Sequence, residues 1–171
     1  MNIQLFNLIN QFAGKNPLLD NFMIFIAKYL IFIVPFFLLY LYFKKSKKQN
    51  RKKSIFVFVS ILISSIIGWS IGFFYYHPRP FAINLGTELI SHIPDSSFPS
   101  DHTIVFFATA FALFYIKEKK NAWLFLILGF LVGLARIFAG VHFPADILGS
   151  FIIAWVVVFV MSKFKKKIFG L

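Results

Sequence analysis

The chain has 171 residues, of which 59% are hydrophobic and 14% are charged, and its formal net charge is +12. Soluble domains are about half apolar and about a quarter charged, so this composition, with a mean hydropathy of +0.79, excludes an ordinary soluble protein. The absence of cysteine excludes disulfides and thiolate metal sites. Several apolar runs approach the roughly 20 residues that a helix needs to cross a bilayer. We therefore expect one all-α, membrane-embedded domain over residues 1–171.

The apolar runs predict five transmembrane helices and a short N-terminal interfacial helix. Residues 2–14 are weakly amphipathic, which fits a helix lying in the membrane interface, and they lack the basic start and cleavage pattern of a signal peptide. The predicted spans cover about residues 18–43, 54–76, 101–116, 122–138 and 145–162. A polar segment, from His77 to Ser100, separates the second span from the third.

Three basic blocks orient the predicted bundle. They lie at residues 44–53, 117–120 and 163–167 and hold seven, three and four Lys or Arg residues. Each block adjoins an apolar run, which is typical of cytoplasmic juxtamembrane charge and argues against a nucleic-acid partner. Five alternating crossings place all three blocks on one side. We therefore expect a cytoplasmic C-terminus and an outer face that carries the polar 77–100 segment.

A histidine and an acid flank the start of the last predicted helix. Asp146 follows His142 by four residues, and Pro144 suits the first turn of a helix. A carboxylate at this spacing can hold one ring nitrogen and leave the other free and more basic, as in an activated nucleophile or base. The alternative is structural: an acid stabilised by the helix macrodipole beside an interfacial histidine.

The stretch SFPSDH, residues 97–102, predicts the start of the third span. Ser100 is a good N-cap, and the amides of the residues after it would lack intrahelical acceptors. Free amides at a helix N-terminus form an anion site, and His102 beside them can donate a proton to a leaving group. The alternative is an ordinary helix cap.

Arg79 and Arg136 stand at the ends of spans on the same predicted face. Each offers a planar fork of donors that matches phosphate oxygens. Two arginines, two histidines and a helix N-terminus predict phosphoryl transfer, in which positioning and charge stabilisation supply most of the catalysis. We expect no metal and no cofactor, because no carboxylate cluster has metal-ligand spacing and the arginines would repel a cation.

Five further polar residues lie in the first span or in the 77–100 segment. Lys28, inside the first span, either has a functional role or snorkels to the outer surface. His77 and His92 are expected to be loop residues, although His77 is near enough to Arg79 to touch a headgroup. We expect the remaining acids of the 77–100 segment, Glu88 and Asp95, to be solvated.

In order and spacing, the three segments resemble the signature of the type 2 phosphatidic acid phosphatase family, shared with vanadium haloperoxidases: Lys-x6-Arg-Pro, Pro-Ser-Gly-His and Ser-Arg-x5-His-x3-Asp. The matching positions are Arg79, Pro80, Pro99, Ser100, His102, Arg136, His142 and Asp146. The chain departs from the signature where Gly72 replaces Lys, Asp101 replaces Gly and Ala135 replaces Ser. With PRPF at residues 78–81 and SFPSDH, the chain most resembles bacterial undecaprenyl-diphosphate phosphatases of the bacitracin-resistance type.

The resemblance implies a role for each matching residue. His142 would attack phosphorus and form a phosphohistidine, oriented by Asp146, and His102 would protonate the departing lipid phosphate and then activate water. The phosphoryl oxygens would be held by Arg79, Arg136, Ser100 and the main-chain amides of Asp101 and His102. The implied reaction converts undecaprenyl diphosphate to undecaprenyl phosphate and inorganic phosphate at the outer face of a bacterial cytoplasmic membrane, which recycles the lipid carrier of peptidoglycan synthesis.

Three other functions compete with this one. A phosphatase for phosphatidic acid or phosphatidylglycerol phosphate would use the same residues. A permease would bind an anionic solute at the outer face, although the repeats and paired broken helices typical of transporters are missing from the sequence. A non-catalytic membrane scaffold would tolerate replacement of Arg79, Arg136 and His142.

Overall fold

The computed structural model describes residues 1–44 and 47–171; Lys45 of the first basic block lies outside this part of the chain. All regular secondary structure in the described residues is helical, which confirms the predicted all-α class. The helices are α1 (Asn2–Asn10), α2 (Pro17–Tyr29), α3 (Ile33–Phe43), α4 (Lys47–Phe74), α5 (Asp101–Tyr115), α6 (Lys119–Phe138) and α7 (Pro144–Phe169). Short 3-10 turns occur at Leu30–Phe32 and Phe81–Ile83.

Four stretches of the described chain are long and apolar enough to cross a membrane. They are Pro17–Phe43, Lys48–Phe74, Lys119–Phe138 and Pro144–Phe169. The remaining apolar helix, α5, has 15 residues and is therefore about 22 Å long, shorter than the roughly 30 Å of a hydrocarbon core. A helix thus exists at each of the five predicted spans, and four of the five have the length of a full membrane span.

Several helices extend beyond the predicted apolar spans into the basic blocks. α4 begins at Lys47 rather than near residue 54, and α7 continues to Phe169 rather than ending near residue 162. Lys and Arg are good helix formers, so a helix nucleated by an apolar span continues through them. The predicted spans were too short at these ends because hydropathy marks the membrane-facing part of a helix and not its full length.

The first predicted span is interrupted in its middle. The 3-10 turn Leu30–Phe32 separates α2 from α3, and Pro35 lies in the first turn of α3. Proline has no N–H to donate to the carbonyl of Ile31, and its ring crowds that carbonyl. The chain tightens to a 3-10 turn just before the proline for this reason.

Helix α5 lies at the centre of the bundle. Nine of its 15 residues are buried, and it packs against α4, α6 and α7. Two glycines of α6 allow this helix to pack closely against α5 and α7. A Cβ on Gly129 would come within 2.7 Å of the Phe107 ring in α5, and one on Gly133 within 2.6 Å of Ile147 in α7. The N-terminal end of α5 is thereby held between the end of α6 and the start of α7.

Helix α1 supports the connection between α6 and α7. The Asn10 side chain donates to the carbonyls of Phe138 at 2.8 Å and Thr87 at 2.9 Å, and it accepts from the Thr87 amide at 2.7 Å. The Phe6 ring lies 5.3 Å from that of Phe143. The predicted N-terminal helix therefore ends at Asn10 and braces the site, while its Leu5 side chain stays exposed.

Candidate functional site

His142 lies beside Arg79 and Arg136, which come from two of the predicted motif segments. It lies in the connection between α6 and α7 and is only 1% exposed. Its Nε2 is 3.2 Å from Nη1 of Arg79 and 3.3 Å from Nη2 of Arg136. A guanidinium can only donate, so the lone pair of Nε2 faces both arginines. This ring nitrogen is the unprotonated, nucleophilic one.

The opposite ring nitrogen contacts the stretch that precedes α5. Nδ1 of His142 donates to the main-chain carbonyl of Ser97 at 2.9 Å, whereas Oδ2 of Asp146 is 3.4 Å away. The Ser97 hydroxyl donates to that same carboxylate oxygen. The sequence predicted that the Asp146 carboxylate reaches this nitrogen; it lies beside it, and the Ser97 carbonyl is the nearer acceptor.

Asp146 both stabilises the start of α7 and borders His142. Its Oδ2 accepts the Phe143 amide at 2.7 Å at the start of α7, and Pro144 occupies the first turn as predicted. The carboxylate thus satisfies an otherwise unpaired amide at the helix start while it borders His142. Its other oxygen, Oδ1, is buried without a hydrogen-bond partner in the described part of the chain and lies 3.7 Å from Nδ1 of His77.

Arg79 is held by three acceptors outside His142. Its Nε donates to Asp95 at 2.7 Å, its Nη1 to the Val141 carbonyl at 2.9 Å and its Nη2 to the Ser96 carbonyl at 3.2 Å. Asp95 is 48% exposed, as expected of a solvated loop acid, and its carboxylate also offsets the charge of Arg79, which is only 3% exposed. A buried charge needs such a partner.

Two buried donors of the predicted motif residues have no hydrogen-bond partner among the described residues. They are Nε of Arg136 and the hydroxyl of Ser100. Ser100 occupies the predicted N-cap position of α5, but its hydroxyl makes no capping bond. Buried polar atoms are normally satisfied, and an anion bound here would supply acceptors to both donors. These donors fit a phosphate better than a purely structural cap does.

The backbone of Ser100 is tied to α7 by Ser150. The Ser150 hydroxyl accepts from the Ser100 amide at 2.9 Å and lies 2.8 Å from the Asp146 carbonyl. The first turn of α5 is thereby fixed relative to the helix that carries the carboxylate. That turn contains both remaining candidates, of which His102 is half-buried and Asp101 is exposed.

The electrostatic setting keeps His142 neutral. Burial, with a smaller contribution from the positive charges of Arg136 and Arg79, lowers the pKa of His142 to about 3, although the hydrogen bond with Asp146 opposes this shift. A neutral imidazole retains the lone pair that a nucleophile needs. At neutral pH the site therefore presents an uncharged nitrogen between two cations.

A side chain at the position of the family lysine would require the neighbouring backbone to shift. A Cβ on Gly72 would come within 2.9 Å of the Phe98 carbonyl. Gly72 lines a cavity of about 310 Å³ between α4 and residues 95–101. Lys28 is exposed, with its ammonium 5.7 Å from the centre of the Tyr29 ring, an arrangement that fits a snorkelling lysine.

Comparison with known proteins agrees with the motif resemblance. The sequence profile described as PAP2 superfamily matches residues 53–169. Undecaprenyl-diphosphatase BcrC of Bacillus subtilis (strain 168) is 34% identical over 164 residues, which cover 96% of this chain and 84% of that protein. A Bacillus licheniformis protein named bacitracin transport permease protein BcrC is 35% identical over 148 residues, covering 86% of this chain and 72% of that protein.

A solved structure shares the whole architecture. The crystal structure of Aquifex aeolicus LpxE superposes with a TM-score of 0.79 at 30% identity, and the match covers 95% of this chain and 94% of that one. The profile match spans more than half of the chain, and the site described above carries the motifs in that region. This chain belongs to the PAP2 superfamily.

Proposed function

We propose that this protein hydrolyses undecaprenyl diphosphate to undecaprenyl phosphate and inorganic phosphate. The observation that carries the proposal is the neutral, buried His142, whose bare Nε2 lies between two guanidinium groups. This nitrogen is placed to attack a phosphorus atom whose oxygens the arginines hold. The B. subtilis relative named undecaprenyl-diphosphatase, which aligns with nearly all of the chain, supports the choice of substrate.

In the first step, Nε2 of His142 bonds to the terminal phosphorus as the anhydride P–O bond breaks. Arg79, Arg136 and the free hydroxyl of Ser100 stabilise the charge on the transferring phosphoryl oxygens. The leaving undecaprenyl phosphate takes a proton from His102. The Ser97 carbonyl, through its bond to Nδ1, stabilises the positive charge that develops on the ring.

In the second step, water displaces the phosphoryl group from His142. His102, which has lost its proton, accepts one from the water as the new P–O bond forms and the N–P bond breaks. Inorganic phosphate leaves, and both histidines return to their starting states. Asp101 takes part through its main-chain amide at the start of α5, because its exposed carboxylate would repel a phosphate.

We place the site at the outer face of a bacterial cytoplasmic membrane, with five crossings and a cytoplasmic C-terminus. The basic blocks at the opposite ends of the helices support this orientation. An exposed aromatic cluster at the end of α4 supports a membrane interface on the site's side; its members are Trp69, Phe73, Phe74, Tyr75 and Tyr76. The short α5 would start below that interface, which recesses the site toward the lipid.

The native chain has no cysteine, so single-cysteine labelling tests the orientation cleanly. In intact cells, Glu88→Cys is expected to react with a membrane-impermeant maleimide. Lys119→Cys is expected to react only after the membrane is opened. The reverse pattern would contradict the proposed orientation and leave the chemistry untouched.

The function is tested by phosphate release from a lipid panel. The purified protein is expected to turn over undecaprenyl diphosphate faster than phosphatidic acid or phosphatidylglycerol phosphate, and His142→Ala is expected to remove the activity. Preference for either of the other lipids would support the alternative phosphatase. No phosphate release from any lipid, by a protein that elutes as one homogeneous species, would reject the enzyme assignment.

A permease is the second candidate, because the B. licheniformis relative carries that name. Vanadate separates the two classes, since it mimics the phosphoryl group bound to the nucleophile. A phosphohistidine enzyme is expected to lose phosphate release in vanadate. A permease would instead move a labelled solute across proteoliposomes, and His142→Ala would not alter lipid phosphate levels.

A further inference from the structure

Two buried polar atoms that have no hydrogen-bond partner among residues 1–44 and 47–171 face each other beside the site. They are Nδ1 of His77 and Oδ1 of Asp146, 3.7 Å apart. The Asp146 side chain is fully buried, whereas that of His77 is 31% exposed. Oδ2 of Asp146 already accepts from the Ser97 hydroxyl and the Phe143 amide. One oxygen of this carboxylate is therefore well supplied with donors and the other is not.

A carboxylate oxygen left without a donor in a buried position costs more free energy than one satisfied by a hydrogen bond. His77 is the polar side chain that borders Oδ1, and a movement of less than 1 Å brings its Nδ1 within hydrogen-bond range. We propose that His77 is a positioning residue that donates from Nδ1 to Oδ1 of Asp146 and so orients the carboxylate that serves His142. This inference rests on the proposed function.

The surroundings hold the His77 ring in place for this contact. Its main-chain carbonyl accepts the Ser97 amide at 2.7 Å, and its amide donates to the Ser96 hydroxyl at 3.2 Å. The ring stacks on Tyr75 with an angle of 7° between the planes, and it meets the Phe143 ring edge-on at 5.3 Å. The same backbone segment therefore positions His77 on one side of Asp146 and Ser97 on the other.

The consequence is a carboxylate held at both oxygens. With Oδ1 bound by His77, Asp146 cannot rotate about its terminal bond without losing a donor, so Oδ2 stays directed at the Ser97 hydroxyl and toward His142. His77 touches neither the arginines' donors nor Nε2 of His142 in this arrangement. Its loss is therefore expected to slow the chemical step and to leave substrate binding unchanged.

Three substitutions of His77 separate the effect of its N–H donor from that of its aromatic ring. His77→Phe keeps the aromatic packing and removes the donor, His77→Leu removes both, and His77→Asn keeps an N–H near the position of Nδ1. We expect His77→Phe and His77→Leu to lower kcat by about tenfold, the lower end of the loss seen when a supporting partner is removed at metal–histidine sites, with KM for undecaprenyl diphosphate unchanged. His77→Asn is expected to keep most of the activity.

A double-mutant cycle with Asp146→Asn tests whether His77 acts through Asp146. Once the carboxylate has become an amide, His77→Phe is expected to cause no further loss in kcat. His92→Phe is the matched control, because its ring borders Asp95 and not Asp146, so its effect is expected to multiply with that of Asp146→Asn. Multiplicative losses for His77→Phe, or full activity in both donor-free variants, would overturn the proposal.

A second readout keeps this test separate from the proposed function. The apparent Tm of the same four proteins of the cycle reports the His77–Asp146 contact whether or not the protein turns over undecaprenyl diphosphate. We expect the two Tm losses to be less than additive. Additive losses would reject the contact. An inactive parent protein with coupled Tm values would instead reject the proposed function and retain the pairing.

Discussion

Nδ1 of His142 donates a hydrogen bond of 2.9 Å to the main-chain carbonyl oxygen of Ser97. This bond places the single hydrogen of the neutral ring on Nδ1 and leaves Nε2 bare. The Ser97 side chain has a separate task, because its hydroxyl donates to Asp146. One residue therefore sets the tautomer with its backbone and restrains the carboxylate with its side chain.

Because the carbonyl and the hydroxyl of Ser97 have different partners, Ser97→Ala is expected to lose only part of the activity. The substitution keeps the carbonyl, and hence the tautomer, but removes a hydrogen bond to a buried charge, which contributes about 1.5–3 kcal/mol. We expect kcat to fall by about 10- to 100-fold while the protein stays folded. Ser64→Ala is the matched control, since Ser64 is equally buried in α4, and it should leave kcat unchanged. Equal losses in the two variants would mean that Ser97 has only a packing role.

The two neighbouring residues at the start of α5 are expected to differ in importance. His102 is the proposed proton donor, so His102→Ala should retain almost no phosphate release. Asp101 contributes its amide, which glycine also has, so Asp101→Gly should retain part of the activity. Steady-state assays of both variants on undecaprenyl diphosphate make the comparison. Comparable, severe losses would assign a catalytic role to the Asp101 carboxylate.

The burial of His142 predicts a stability that depends on pH. The pKa of this residue falls from 6.5 to about 3 on folding, so between these values the unfolded chain binds a proton that the folded protein does not. The free energy of unfolding therefore decreases as the pH is lowered through this window, and the contribution is complete above pH 6.5. The apparent Tm in detergent is expected to fall below pH 6.5, and to fall less steeply in His142→Gln. An equally steep fall of Tm with pH in the parent protein and in His142→Gln would contradict a buried, neutral His142.

Much of the fold could be predicted because hydropathy and charge act over whole helices. The apolar run of residues 101–116 became α5 almost residue for residue. Hydropathy does not report how a helix ends, and so the turns of α4 and α7 within the basic blocks were missed. The break before Pro35 follows from the missing N–H of proline, a local effect that a hydropathy pattern does not contain.

The site was predictable where residue type and spacing both carry information. The i to i+4 relation of His142 and Asp146 predicted their approach, and the arginines matched known phosphate chemistry. Ser97 and His77 were missed, since their roles arise from a backbone carbonyl and a ring contact that exist only after the 77–100 segment folds onto α7. The polar residue Ser97, just before the Pro99-Ser100 motif, was the only sequence signal that this segment supports His142 and Asp146.

Transfer of phosphate to His142 is the most direct test of the mechanism. Undecaprenyl diphosphate labelled in its terminal phosphate is mixed with the purified protein, the reaction is quenched in alkali within the first turnover, and the labelled peptide is identified by mass spectrometry. We predict label on the peptide that contains His142, and none on any peptide of His142→Ala. Turnover of the lipid with no label on the protein, or with label on a different residue, would contradict the account.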